Sequence, residues 1–429
     1  MSAVDKPADV VAETAVGKRL PANYWRLWGS STSSNLGDGV RATAIPLLAA
    51  ALDPRPIVVA ALSAVGYLPW LVFSLIAGGV ADRVDRRRLM IRLQLVRIAV
   101  MGSFSVLVTV GRGEIVVLFA VALVIGVTEV FFDTTAATAV PSVLPSTQLE
   151  QGNSRLYAAE ITANEFVGSP LGAGLFALRP AAPFWFGLLG SSTSGLLLSR
   201  ITVPFNPPSA DDDTAEQDSF AASIRDGVRM ALASPFLRAW TVVLSMANLA
   251  RAMTISVFVL YVLDLLHGGK LTFGVLTAMS AVGGLAGGWR ADLLIERLGR
   301  RAAAVLGTTL MISSNLILGL VVQTEMAALA GFMFGAGVGL NNVLFISMRQ
   351  RMVPPEYLGR VASVQRFVSW GLLPLGALLG GWLAASWNLR APYLVAGVLV
   401  AVFALLFGRS LMAFPEVPTP SCDEPVIDS

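Results

Sequence analysis

The 429-residue sequence contains one cysteine, Cys422, and one histidine, His267. A single thiol excludes an internal disulfide. Without Cys or His clusters there are no ligands for a zinc, haem or iron–sulfur centre, so no metal and no cofactor is expected. A nucleophile–histidine enzyme would have to form around His267, where no nucleophile clusters in sequence; the chain is read as a non-enzyme. Charge is also scarce. Only 14% of residues are Asp, Glu, Lys or Arg, against 55% apolar, whereas a soluble domain carries about 25% charged residues. With a mean hydropathy of +0.69, too little polar surface remains to cover a water-soluble globule. The net charge of +3 does not point to nucleic acid, because the arginines sit in short clusters between apolar runs. The first 22 residues hold Asp5, Asp9 and Glu13 and no apolar core stretch, unlike a signal peptide.

Apolar runs are what the chain has in abundance. A spanning helix needs about 20 mostly apolar residues, and twelve segments qualify. They lie near 23–51, 57–81, 89–110, 114–140, 155–178, 183–203, 236–264, 271–294, 302–322, 326–348, 359–386 and 391–412. The fold class expected is an all-α integral membrane protein with twelve transmembrane helices. Residues 1–22 form an N-terminal tail, 23–203 a first six-helix bundle and 204–235 a linker. A second six-helix bundle covers 236–412, and a Pro-rich, acidic, disordered tail covers 413–429. The linker opens with a Pro/Asp-rich stretch and closes with an amphipathic segment, Phe220 to Ala233. Orientation follows from Lys and Arg placement. Clusters such as Arg83, Arg86, Arg87 and Arg88, or Arg297, Arg300 and Arg301, fall on one side; five of the six loops on the other side hold one basic residue each and the sixth none. Both termini are therefore expected in the cytoplasm, in a multi-pass protein of the plasma (inner) membrane of a bacterium.

The two halves repeat at an offset of about 210 residues, as expected of paired transporter bundles. Arg26 and Trp28 match Arg238 and Trp240, Asn35-Leu36 matches Asn248-Leu249, and Gly78 and Asp82 match Gly288 and Asp292. Between spans two and three stands Gly78-Gly-Val-Ala-Asp82-Arg83-Val-Asp85-Arg86-Arg87. It resembles the G-x-x-x-D-R-x-G-R-R signature loop of the major facilitator superfamily, with Asp85 in place of the second glycine. The resemblance covers nearly the whole chain and implies two pseudo-symmetric bundles and gating by Gly78, Asp82, Arg83, Arg86 and Arg87. Independently of any family, a glycine at a crossing permits close packing and the arginines anchor one membrane face. The run Gly168-Ser169-Pro170-Leu171-Gly172-Ala173-Gly174 in span five resembles the Gly-Pro motif of drug–proton antiporters, with Ala173 where that motif has Gly. The segment from Arg26 to Gly39 is similar to the macrolide-efflux and siderophore-exporter branch. Gly331, Gly335 and Gly339, one turn apart in span ten, read as packing.

Ionisable groups at membrane depth cost about 2.5–3.5 kcal/mol each on insertion scales and mark function by default. Asp38 and Arg41 in span one lie three apart and share a face. Through the repeat, Asp38 falls opposite Arg251 of span seven. The resemblance places both first spans toward a central cavity, so Asp38 is expected to carry a proton or bind a cationic substrate, with Arg251 tuning it. Glu129 and Asp133 in span four lie on one helical face, and carboxylates so placed suit proton exchange. Glu160 and Glu165 in span five and Arg366 in span eleven complete a candidate inner-gate network. Many antiporters of this type carry an arginine in span four; this span has none, so their coupling scheme cannot be carried over. No phosphate-binding loop follows Gly335-Ala-Gly-Val-Gly339. The expected function is secondary active efflux, by proton-coupled antiport of drug-like or amphiphilic small molecules, in a monomer whose partners are its substrate, protons and the lipid bilayer, with no nucleic acid. The alternatives are a dedicated siderophore or metabolite exporter, a cation-coupled importer, and a non-transporting membrane receptor.

Overall fold

The computed structural model describes residues 20–202 and 229–412, apart from 231–234, 354–360, 362, 363 and 366. Both tails, most of the linker with its amphipathic segment, and Arg366 lie outside the described residues. The described chain is helical throughout. In order, the helices are α1 (Ala22–Leu52), α2 (Pro56–Arg83), α3 (Arg86–Thr109), α4 (Ile115–Val143), α5 (Leu149–Ile161), α6 (Ser169–Leu178) and α7 (Ala182–Ser199). Then follow α8 (Pro235–Leu260), α9 (Lys270–Trp289), α10 (Ala291–Leu320), α11 (Thr324–Met352), α12 (Leu373–Ser386) and α13 (Ala391–Met412). A π-helical stretch, Thr162–Gly168, joins α5 to α6, and another, Tyr261–Leu265, extends α8.

Nine helices among the described residues are long and apolar enough to cross a membrane. The remaining three expected spans are α1, which carries Arg26, Asp38 and Arg41; the broken α5–α6; and α7, diluted by Ser191-Ser-Thr-Ser194. Elsewhere large apolar side chains face outward from the spanning helices α4 and α13. Leu405 is 82% and Val116 72% exposed, an arrangement that only lipid makes favourable, since each helix satisfies its own backbone hydrogen bonds. Gly299, with φ of 80°, breaks α10 beside Arg300 and Arg301. Between α1 and α2 the chain turns on Asp53, whose carboxylate accepts from Arg55 Nε at 2.9 and 3.0 Å and from Nη2 at 2.6 Å. That hydrogen bonding holds the Asp53 carboxyl below the usual carboxylate range.

The chain divides into two compact units, Met1–Ala215 with Val262–Ala278, and Glu216–Tyr261 with Met279–Ser429. In the first, α1 packs along α7, α6 and the π-helical stretch, α3 packs on α7 and α4, and α2 on α4. Tyr24, Leu27, Met90, Val140 and Leu198 form an apolar plug at one end. In the second, α8 packs on α12 and α13, and α10 on α11 and α13. Trp240 stacks on Phe345 at 3.6 Å between centroids, inside the cluster that includes Phe236 and Met348.

Small residues set the closest helix approach in the second unit. A β-carbon at Gly335 would overlap the Ser280 carbonyl, and one at Gly339 the Gly284 carbonyl, so α9 and α11 meet backbone to backbone. Gly288, on the same α9, has nothing within 4 Å of its would-be β-carbon. Gly335→Ala should therefore lower the thermal midpoint of the detergent-solubilised protein by several degrees, the scale of an overpacking cost of about 1–3 kcal/mol. Gly288→Ala should leave the midpoint unchanged or slightly raised; equal behaviour of the two variants would contradict the seam.

Candidate functional site

Three helices of the first unit bring charge together in their shared interior. Along α1, Ser34, Asp38 and Arg41 follow one inward stripe. Along α3 the buried stripe runs Met90, Gln94, Arg97, Met101, at three- and four-residue steps. Helix α4 contributes Thr128, Glu129 and Phe132, with Asp133 one turn beyond Glu129.

The contacts are specific. Arg41 Nη2 lies 3.3 Å from Asp38 Oδ1 and 2.5 Å from Glu129 Oε2, so one nitrogen serves two carboxylates. Arg97 Nη1 lies 3.2 Å from Asp38 Oδ2 and donates to Ser34 Oγ at 2.7 Å, while its Nε donates to Thr128 Oγ1 at 3.0 Å. The Phe132 ring covers the guanidinium at 5.3 Å. Gln94 Nε2 donates to Ser34 Oγ and to Ser194 Oγ, and Ser194 meets Ser30, which extends the polar ladder to α7. Side-chain exposure grades across the site, from 2% at Arg97 through 10% at Asp38 and 13% at Arg41 to 22% at Glu129. Asp133 is half-buried, and among the described residues no cation lies within 4 Å of it. Glu160 on α5 is exposed and has a partner of its own.

The structure thus gathers Asp38, Arg41 and Glu129, places Asp133 beside them, and adds Arg97, which the sequence reading passed over. A signal for it existed. Arg97 lies nine residues past Arg88, about 13 Å deeper along the helix, where the cost of an intramembrane charge marks function. Arg251 stands half-buried on α8, in the second unit.

The loop between α2 and α3 is held by capping. Asp85 is the N-cap of α3, its Oδ1 accepting from the Arg88 backbone N–H at 3.1 Å. Glycine and aspartate are both good N-caps, which accounts for Asp85 where the signature loop has glycine. Arg87 donates from Nε to the Leu198 carbonyl at 3.0 Å and from Nη2 to that of Ser199, while Arg26 Nη1 donates to the Arg200 carbonyl at 2.6 Å. Two cations thereby close the negative end of α7. Arg86 is buried and engaged. Gly78, Asp82 and Arg83 end α2, and their side-chain surroundings lie outside the described residues.

The span-five motif forms the closest seam of this unit. A β-carbon on Gly168 would strike Gly39, and one on Gly172 would strike the Val40 backbone. Gly39 in turn faces the Asn164 backbone inside the π-helical stretch. Pro170 cannot donate to a carbonyl one turn earlier, and the widened turn just before it is where that missing bond is absorbed. Thr43 Oγ1 bonds Ser169 Oγ at 3.0 Å across the seam. On the other flank, Gly274 of α9 fits against Ala173 and Ser169, and Gly174 faces Leu271. This stack sits one residue from Asp38.

Residues 21–424 match the model of the family described as transmembrane secretion effector. The chain belongs to this family, within the major facilitator superfamily. It is 26% identical over 392 residues to the multidrug efflux pump Tap of Mycolicibacterium fortuitum, covering 87% of this chain and 93% of that one. It is 24% identical over 398 residues to macrolide efflux protein A of Streptococcus pyogenes, covering 89% and 94%. Among solved structures, the nucleoside transporter NupG superposes with a TM-score of 0.72 at 11% identity, over 90% of this chain and 99% of that one. An inward-facing bacterial homologue of ferroportin gives 0.69 at 16% identity, over 92% and 100%. The structural matches establish the fold alone. The protein is a multi-pass membrane transporter.

The Asp85 cap gives a stability prediction. Asp85→Ala should cost about 1 kcal/mol, and Asp85→Gly only a few tenths, in unfolding of the detergent-solubilised protein. Equal losses would show that the side chain acts otherwise than as a cap.

Proposed function

We propose that this transporter exports drug-like or amphiphilic small molecules by proton-coupled antiport and alternating access, with the exchange seated in the polar cluster of the first unit. The relatives named as efflux pumps support the direction of transport. One observation carries the coupling. Among the described residues the cluster holds three carboxylates, Asp38, Glu129 and Asp133, and two guanidiniums, Arg41 and Arg97, in an interior whose other polar groups are neutral. With all three carboxylates ionised the set carries one negative charge too many, and unneutralised buried charge is costly. A single proton closes the balance, and so does a single positive charge on a bound compound. Two species that close one balance exclude each other, which is the requirement for exchange. The Gly168–Gly174 seam beside Asp38 transmits the change, because backbones packed without intervening side chains move as a body. In this reading the protein lies in the plasma membrane with both termini in the cytoplasm and works as a monomer.

The test uses proteoliposomes with an imposed pH gradient and a panel of cationic dyes, macrolides and siderophores, following collapse of the gradient as each is added. Compound-driven proton release is expected, and the combined Glu129→Gln and Asp133→Asn variant should lose it by roughly tenfold or more. Transport that proceeds with no proton movement would overturn the coupling. A response to one compound class alone would favour a dedicated siderophore or metabolite exporter.

A further inference from the structure

We propose that Asp38 and Arg97 are a permanent ion pair that positions the site, and that the exchanged proton is held on the Glu129–Asp133 side, with Arg41 as the movable link between the two. This rests on the proton-exchange reading above and assigns its parts.

The asymmetry of the contacts carries the assignment. Arg97 of α3 is clamped from two neighbouring helices, by Asp38 and Ser34 of α1 and by Thr128 and the Phe132 ring of α4. Those partners are themselves fixed. Thr128 Oγ1 donates to the Ile125 carbonyl at 2.7 Å, and Ser34 receives Gln94. Asp38 is the guanidinium's one anion among the described residues, and Arg97 Nη2 has no hydrogen-bond partner there. A proton on Asp38 would leave Arg97 charged and without a counter-ion at 2% exposure, the costliest state available to a buried pair. Both Asp38 oxygens are moreover taken, Oδ1 by Arg41 and Oδ2 by Arg97.

The α4 side differs on every count. Among the described residues Glu129 has one cation within 4 Å, Arg41, and that cation is shared. Asp133 has none within 4 Å among the described residues and is half-buried, so a proton arriving there displaces nothing. Among the described residues the charged groups facing the pair are Asp38 and Arg41 from α1, Arg97 from α3 and, further out, Glu160 from α5. When the Glu129–Asp133 pair is short of charge, Arg41 has Asp38 as its remaining anion, reached through the same Nη2 atom at 3.3 Å. Protonation on α4 is thus converted into a shift of the guanidinium on α1, the helix that carries Gly39 against the span-five motif. Asp38 and Arg97 act through Arg41 and are positioning residues.

The experiment compares Asp38→Asn, Arg97→Met and the two combined, in proteoliposomes, for compound-driven proton movement and its pH profile. Each single change strands one buried charge and should lower exchange by roughly tenfold or more. The combined change strands neither of the two, though it takes from Arg41 its second anion, and should recover part of the loss, with the wild-type pH profile. Recovery of folded, monodisperse protein without recovery of proton movement would place the proton on Asp38 and overturn the assignment. A second measurement holds whether or not the combined variant folds. Infrared difference spectra of the wild-type protein between acid and alkaline pH should show a protonated-carboxyl C=O band that Asp133→Asn, or Glu129→Gln with Asp133→Asn, removes. Arg97→Met should add a second such band, because it frees Asp38 to titrate, which a packing role for Arg97 would not do. A band that survives in the combined α4 variant belongs elsewhere and overturns the proposal. A wild-type protein that shows the band but no compound-driven proton movement would instead refute the coupling reading and leave the site assignment standing.

Discussion

The first unit is organised around the neutralisation of one arginine. A guanidinium on α3 at 2% exposure cannot be left unpaired, since breaking such a pair costs about 3–5 kcal/mol. Its needs fix the neighbours in turn. Asp38 must present an oxygen from α1, Thr128 and Ser34 must supply hydroxyls, and Phe132 must close the apolar side. Gln94 follows, tying Ser34 to Ser194, so that α7 joins the same network. Four helices are therefore held in register by polar contacts. Apolar packing alone would let them slide, because lipid tails are as apolar as leucine.

Close backbone packing is the second constraint, and it meets the first on α1. Asp38 and Gly39 are consecutive residues on opposed duties: one turns its side chain toward α3, the other gives up a side chain so that Asn164 and Gly168 can approach. The π-helical turn, the proline and the glycines of span five are together what such an approach requires. Pro170 removes a backbone donor, the wide turn tolerates the loss, and the glycines clear the path. On the assignment proposed above, a shift of the Arg41 guanidinium and a shift of α1 against α6 are for this reason coupled through one stretch of backbone.

Much of this was legible in the sequence. The scarcity of charge and the apolar runs gave the membrane class, and the loop Gly78–Arg87 with the Gly-Pro motif gave the superfamily. Asp38, Arg41, Glu129 and Asp133 stood out because an ionisable residue inside an apolar run is too costly to persist without a role. Arg97 did not, because the Arg83–Arg88 cluster just before it has an ordinary topological reading that covers neighbouring arginines. Depth along the helix separates the two cases. The sharing of Arg41 between two carboxylates, and the π-helical turn, were not readable. The first depends on how far α1 lies from α4, and the second on a balance between a missing proline donor and the approach of Gly39, which no local propensity encodes.

The internal repeat makes the distribution of charge informative. By the offset of about 210 residues, Glu129 and Asp133 match Val338 and Asn342. The interior of the second unit around that position is served by neutral groups: Asn341 Nδ2 donates to Thr308 Oγ1, and Ser314 Oγ donates to the Ala330 carbonyl. Gly307 leaves room for the Asn341 amide where a side chain would collide with it. Both units pack their fifth span on their first through small residues, Gly168 and Gly172 against Gly39 and Val40 in one and Gly376 and Gly380 against Leu249 and Met253 in the other, while the groups around the two positions differ in charge. A proton taken up by a charged interior changes its balance, whereas a neutral amide and hydroxyl interior is indifferent to it. If one half titrates and its twin does not, protonation biases the two bundles unequally, and that inequality is what a two-bundle carrier needs in order to convert a proton into motion.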